Sequence, residues 1–220
     1  MIKNNKFKVL VSSVVILLPI LFGLIVWEKL PEKIATHWGP DGNPDQYSSK
    51  LFAVVVLPLI VFAIHWLCLL LSRLDPRNKD QHKKILGLIF WICPSVSLLC
   101  SAFTYFGAFD IEFNIGGICI AFLGILFIII GNYMPKTKQN YTIGLKIPWT
   151  LDDEGNWNAT HRFAGRVWVI GGILMLPCAF LPVNMLPWVL VVILPLVIIP
   201  VVYSGLYHKK HNVDKENIDG

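Results

Sequence analysis

Residues 132–166 read NYMPKTKQNYTIGLKIPWTLDDEGNWNATHRFAGR, a polar and aromatic window set between two apolar runs. It holds Tyr133, Tyr141, Trp149, Trp157 and His161, the basic residues Lys136, Lys138, Lys146, Arg162 and Arg166, and the acidic run Asp152, Asp153, Glu154. What flanks it decides what it is. The apolar stretches 115–131 and 164–181 are each of membrane-span length, about 17–25 residues, so the window is a connector between two spans.

Working outward, 55% of the 220 residues are hydrophobic and 15% charged, and the mean hydropathy is +0.61. That balance excludes an ordinary soluble domain. Four further apolar runs, 9–27, 51–71, 85–106 and 188–207, make six expected spans. The first follows Lys3, Lys6 and Lys8 but ends Val26, Trp27, Glu28, with no small-residue cleavage site, so it is an anchor and not a leader. Pro58, Pro94, Pro177, Pro195 and Pro200 fall inside spans and are expected to kink them. Cys68, Cys93, Cys100, Cys119 and Cys178 all lie in apolar runs, without the short spacings of a zinc site, and serve as packing residues.

Orientation follows from the basic residues. Placing both termini in the cytoplasm puts 16 of the 19 Lys and Arg residues inside, against three for the opposite orientation. The expected fold is therefore an all-α integral membrane protein with six transmembrane helices and both termini cytoplasmic. Its N-terminal three-span half, 1–114, carries an extracellular loop 30–50, and its C-terminal three-span half, 115–220, carries a cytoplasmic connector 132–163. The net charge of +5 is spread over loops and not gathered on one face, so direct nucleic-acid binding is not expected.

Gly117, Ala121, Gly124 and Gly131 form a small-residue stripe on the fourth span, and Gly165, Gly171 and Gly172 mirror it on the fifth. Such stripes let helix backbones approach closely. In the loop 30–50, Pro40, Gly42 and Pro44 with Asp41, Asn43 and Asp45 predict consecutive turns and a compact ordered loop. Ser48 or Ser49 is placed to cap the second helix. His37, Asp41 and Asp45 are usable metal ligands, but aspartates in this context are turn formers first, and no metal site is assigned. Asp110 and Glu112 give the outer rim an acidic character that suits a cationic peptide.

His65 is the one strongly polar residue well inside a span. It is read as a hydrogen-bonding partner for Ser97, Ser101, Thr104 or Tyr105 of the third span, or as a proton relay. In the connector, Lys136 and Lys138 sit where basic residues meet anionic headgroups, and Trp149 and Trp157 suit the interface. Thr160 is expected to cap the fifth helix, putting His161 and Arg162 in its first turn, where positive charge opposes the helix dipole. Pairing with Asp152, Asp153 or Glu154 would offset that. No nucleophile, zinc or phosphate-loop pattern accompanies them, so no catalytic residue and no cofactor are assigned.

The connector residues Gly131-Asn132-Tyr133-Met134-Pro135, Asn140-Tyr141-Thr142-Ile143-Gly144, Pro148-Trp149-Thr150-Leu151, Trp157 and Thr160-His161-Arg162 resemble the signature of the SdpI family. Those are bacterial multi-pass plasma-membrane proteins named for immunity to the Sdp cannibalism toxin. The outer segment, with Pro31, Thr36-His37-Trp38, Gly42-Asn43-Pro44-Asp45 and Ser49-Lys50, resembles the N-terminal domain of unknown function usual in the same proteins. Lys146 departs from the Arg expected there and supplies charge without a bidentate fork.

The resemblance implies protection from a secreted toxic peptide. It also implies signalling by holding a cytoplasmic repressor of the ArsR type at the membrane. On that basis His37, Trp38, Asp45 and Lys50 are expected to face the toxin, and Asn140, Tyr141, Trp149, Trp157, His161 and Arg162 a cytoplasmic partner. The rival functions are a small-solute or proton-linked permease built on His65 and, with less support, a membrane enzyme built on His161.

Overall fold

The computed structural model describes residues 5–180 and 185–219, with side chains throughout except at positions 80, 83, 185, 186, 188, 189 and 212–219. Lys3, counted for orientation, and position 181, the expected end of the fifth span, lie outside the described residues, as do the side chains of Lys83, Trp188 and Lys215. The chain runs α1 (Lys6–Ile25), β1 (Lys33–Trp38), β2 (Pro44–Ser49), α2 (Leu57–Leu74), α3 (Lys83–Ala108), α4 (Ile115–Tyr133), α5 (Pro148–Asp152), α6 (Glu154–Cys178) and α7 (Met185–Asp219). A π-helical turn, Phe52–Val56, leads into α2.

Among the described residues five helices are long and apolar enough to cross a membrane, over Lys6–Ile25, Phe52–Leu74, Lys84–Ala108, Ile115–Lys136 and Leu190–His211. The fifth expected span, beginning at Ala164, falls on the C-terminal part of α6, whose first turns are polar. The helices are inside-out by the standard of a soluble protein. On α1 the buried stripe is Val9, Ser12, Ile16, Pro19 and Gly23, while Leu10, Leu21, Leu24 and Ile25 stand exposed. Ser12, Pro19 and Gly23 thus share the protein-facing side with Val9 and Ile16, while most large apolar residues of the helix face outward, as a lipid solvent allows.

The chain divides into two compact units, Met1–Pro76 with Leu86–Ile115, and Arg77–Ile85 with Gly116–Gly220. In the first, the turn-rich loop forms a β-hairpin that the sequence pattern did not announce, because neither strand alternates apolar with polar residues. β1 and β2 pair antiparallel from Lys33 opposite Ser49 to Trp38 opposite Pro44, with an irregularity after Ala35. The turn signals act as expected. Gly42 sits at φ 81°, its N–H donates to the Gly39 carbonyl at 2.9 Å, and the Asp41 carboxylate accepts from Asn43 N and Nδ2 at 3.1 and 2.8 Å. Ile34 and Ala35 are buried with Leu30, Ala53, Val54 and Tyr105. Ser49 Oγ accepts the Phe52 N–H at 3.3 Å and so caps the second helical segment.

Pro19, inside α1, was not among the kinks expected. A proline weakens the helical bonds of the preceding turn and leaves carbonyls to be satisfied elsewhere. Ser97 Oγ donates to the Ile16 carbonyl at 3.2 Å and Tyr105 Oη to the Pro19 carbonyl at 2.6 Å. Tyr105 reaches it through a notch at Gly23, where a Cβ would stand 2.3 Å from the phenol oxygen. These bonds correct the expectation for His65. Ser97, Thr104 and Tyr105 are committed elsewhere, Thr104 to the Cys100 carbonyl, and His65 Nε2 meets Ser12 Oγ of α1 at 3.0 Å. The Ser12 hydroxyl in turn donates to the Val9 carbonyl.

In the second unit the two glycine stripes meet. A Cβ on Gly131 would stand 2.8 Å from the Gly165 carbonyl oxygen, and one on Gly165 would stand 2.6 Å from that of Gly131. Gly124 and Gly172 repeat the reciprocal contact at 2.9 and 2.5 Å. α4 and α6 therefore cross antiparallel with backbone on backbone, and any side chain at these four positions would force them apart.

Candidate functional site

Beside the hairpin lies a cavity of about 520 Å³. Its floor is apolar: Leu30, Ile34 and Ala35 are buried, and Gly107 and Ala108 come from the end of α3. Trp38, Pro31 and Pro44 wall it, and Lys29, Lys33, Tyr47 and Asp110 form an exposed rim. Trp38 is held edge-on to Phe103, ring centroids 6.1 Å apart. Asp110 closes α3 by a Schellman pattern, with Ile111 N–H donating to the Phe106 carbonyl at 2.9 Å and Asp110 N–H to Gly107 at 3.4 Å. Glycine usually takes that place; Asp110 occupies it at φ 54°.

Of the four residues expected to face a toxin, three are accessible to some degree. His37 and Asp45 are exposed and joined, Nδ1 to Oδ1, at 2.6 Å. Trp38 is half-buried against the cavity. Lys50 is a correction: it is 8% exposed, its ammonium pairs with Glu32 at 3.0 Å, donates to the Trp27 carbonyl at 3.3 Å and lies over the Trp27 ring. It fastens the end of the hairpin to the turn after α1. The acidic rim is a second correction, because Lys29 and Lys33 reach the cavity mouth where Asp110 stands alone.

The connector behaves differently. Asn140, 0% exposed, folds the chain around itself. Its Oδ1 accepts from Thr142 N and Ile143 N at 2.8 and 2.6 Å, and its Nδ2 donates to the Lys138 and Ile143 carbonyls. Thr150 Oγ1 accepts from Ile147 N and lies 2.8 Å from the Leu145 carbonyl. From α6, Trp157 Nε1 donates to the Thr137 carbonyl at 2.6 Å. His161 Nε2 accepts the Leu145 N–H at 3.1 Å. The other ring nitrogen must then carry the proton, donated from Nδ1 to the Trp157 carbonyl at 2.8 Å. The imidazole lies flat on the Trp157 indole, centroids 4.0 Å apart, and burial pushes its pKa down to about 4. Gly144, at φ 115°, is required beneath it, since a Cβ would meet Nε2 at 2.4 Å.

These contacts correct several expectations. Asn140, Trp157 and His161 are buried and hold the chain together, so they present nothing to a partner. α6 begins at Glu154, capped by Asp153 accepting from Gly155 N, and Thr160 is an interior residue bonded to Asn156 Oδ1. His161 and Arg162 therefore lie turns beyond the helix start. Arg162 donates to its own Asn158 carbonyl at 3.2 Å and makes no ion pair with the acidic run among the described residues. Tyr141 and Arg162 are exposed, and Trp149 is half-buried against His208. Sequence reasoning missed Arg77, Asn78 and Gln81 of the preceding loop. Arg77 donates to Gln139 Oε1 at 3.0 Å and lies over the Tyr141 ring. Asn78 donates to Thr142 Oγ1 at 2.7 Å, and Gln81 pairs with the Lys138 backbone in both directions. The only available signal was a cluster of amide side chains in a short loop.

Residues 136–204 match the SdpI/YfhL protein family. The chain is similar to the SdpI family. The matched segment begins at the connector and ends at Ser204, whose hydroxyl donates to Asn156 Oδ1 at 2.6 Å and whose carbonyl takes a bond from Asn156 Nδ2. Residues 14–62 match a domain of unknown function, DUF1648, which takes in the whole hairpin. Over 214 residues, 93% of this chain and 98% of the relative, it is 29% identical to the immunity protein SdpI of Bacillus subtilis (strain 168). No solved structure matches. The chain is a multi-pass plasma-membrane protein.

Proposed function

We propose that the protein is a membrane immunity protein that protects its cell from a secreted toxic peptide. The observation that carries this is similarity along nearly the whole chain to an immunity protein. The proposal takes the C-terminal part of α6 as a sixth span, the halves as 1–114 and 115–220, and both termini as cytoplasmic on the distribution of basic residues. The hairpin and its cavity then face outward, with His37, Trp38 and Asp45 available to the toxin. On the inner side Tyr141 and Arg162, with the half-buried Trp149, are available to a regulator such as an ArsR-type repressor, and the exposed lysines meet lipid headgroups. No chemical turnover is assigned to any residue.

The test is deletion of the gene followed by challenge with an Sdp-type peptide: sensitivity should rise and be restored by the intact chain. Unchanged sensitivity sinks the assignment. Arg162→Ala should abolish the cytoplasmic response and leave protection; loss of both with normal abundance would reject the division into two faces.

A further inference from the structure

The cavity beside the hairpin carries more than a location. Its floor of Leu30, Ile34, Ala35 and Ala108 has no polar side chain, and 520 Å³ is the size of a side-chain or small-ligand pocket. At its mouth stand three charged groups from three separate elements: Lys29 on the turn after α1, Lys33 at the start of β1, and Asp110 at the end of α3. None of the three makes an ion pair among the described residues, in contrast with Lys50, which pairs with Glu32. Two ammonium groups and one carboxylate leave the rim net positive. Asp110 is also held there in a left-handed conformation that glycine would adopt without strain.

We infer that this cavity binds the C-terminal residue of a peptide, taking an apolar side chain on its floor, the terminal carboxylate at Lys29 and Lys33, and the last amide N–H at Asp110. A C-terminal apolar residue is the simple peptide feature that presents those three groups together. An internal apolar side chain would offer nothing to the lysines. A cationic segment would be opposed by them. The inference rests on the immunity reading for the identity of the peptide, and the recognition chemistry is its own.

The experiment uses the full chain in lipid nanodiscs and three fluorescein-labelled glycine–serine pentapeptides, one ending in phenylalanine as the free acid, one ending in phenylalanine as the amide, and one ending in serine as the free acid. Anisotropy titration should show the phenylalanine acid binding about tenfold tighter than either control, the difference one charge-assisted contact supplies. Lys29→Gln with Lys33→Gln, both at exposed positions, should erase the acid–amide difference. Ala35→Trp, which fills the floor, should erase the preference for phenylalanine. Equal binding of acid and amide, absence of binding, or an acid preference that survives loss of both lysines overturns the inference. Challenge of cells separates it from the function on which it rests. Protection retained by the double lysine variant after the acid preference is lost overturns the cavity as the immunity site and leaves the immunity reading intact. Failure of the unaltered chain to protect overturns the immunity reading, whatever the pentapeptides do.

Discussion

The segment 30–50 and the connector 132–163 are both polar, aromatic and histidine-bearing, yet the structure uses them oppositely. His37 leaves its ring in solvent with Asp45 as its partner. His161 spends both ring nitrogens on backbone and is 1% exposed. The difference lies in what each segment has to pack against. The hairpin satisfies its own backbone by strand pairing, which frees its side chains and leaves a cavity beside it. Residues 137–147 of the connector form no helix or strand, so their backbone groups must be met by side chains, and Asn140, Thr150, Trp157 and His161 are consumed in doing so. A dense motif is thus no sign of an exposed site.

The contrast can be broken at its foundation first. Gly165→Leu or Gly172→Leu drives a side chain into the opposing backbone and should destabilise the second unit by about 3 kcal/mol or more, seen as loss of folded protein in a thermal melt. Near-normal melting would show that α4 and α6 separate without penalty.

The next effect comes from His161. An unfolded imidazole titrates near 6.5, and burial holds the folded one near 4. Between those values the unfolded chain binds the extra proton, so stability is complete above pH 6.5 and falls as the pH drops toward 4. The expected loss is about 3 kcal/mol across that window. His161→Gln should flatten this slope, whereas His37→Gln should leave it unchanged. A slope indifferent to His161 would remove the basis for the buried clamp.

Smaller effects test the hairpin side. Lys50→Ala should cost about 1–2 kcal/mol, because it strips the Trp27 carbonyl and Glu32 of their partner, and should show as a lower melting temperature. Asp110→Gly should stabilise by about 1 kcal/mol by relieving the left-handed backbone. Arg162→Ala should fall within about 0.5 kcal/mol of the unaltered chain, as an exposed residue paired only to its own helix. A large loss there would place Arg162 with the buried residues of the connector and not with an accessible face.

Much of the fold was legible in the sequence because membrane spans follow from local composition. Five of the expected runs coincide with long apolar helices, and the glycine stripes on the fourth and fifth spans predicted their close approach. The hairpin was legible only as turns, since six-residue strands such as KIATHW carry no alternation. The start of α6 was misjudged because Thr160 and Asp153 are equally good caps by residue type, and only the position of the preceding chain selects between them.

The sequence by itself determined that this is an apolar, multi-helical membrane chain, which stretches are long enough to cross the bilayer, and the family its motifs resemble. Those properties are written in runs of neighbouring residues. The tertiary structure decided which members of the motifs remain accessible, that Lys50 fastens while Lys29 and Lys33 are left at a cavity mouth, and that the loop Arg77–Ile85 belongs to the connector's unit. Burial and hydrogen-bond partnership depend on residues distant in the chain, and no local pattern of residue types records them.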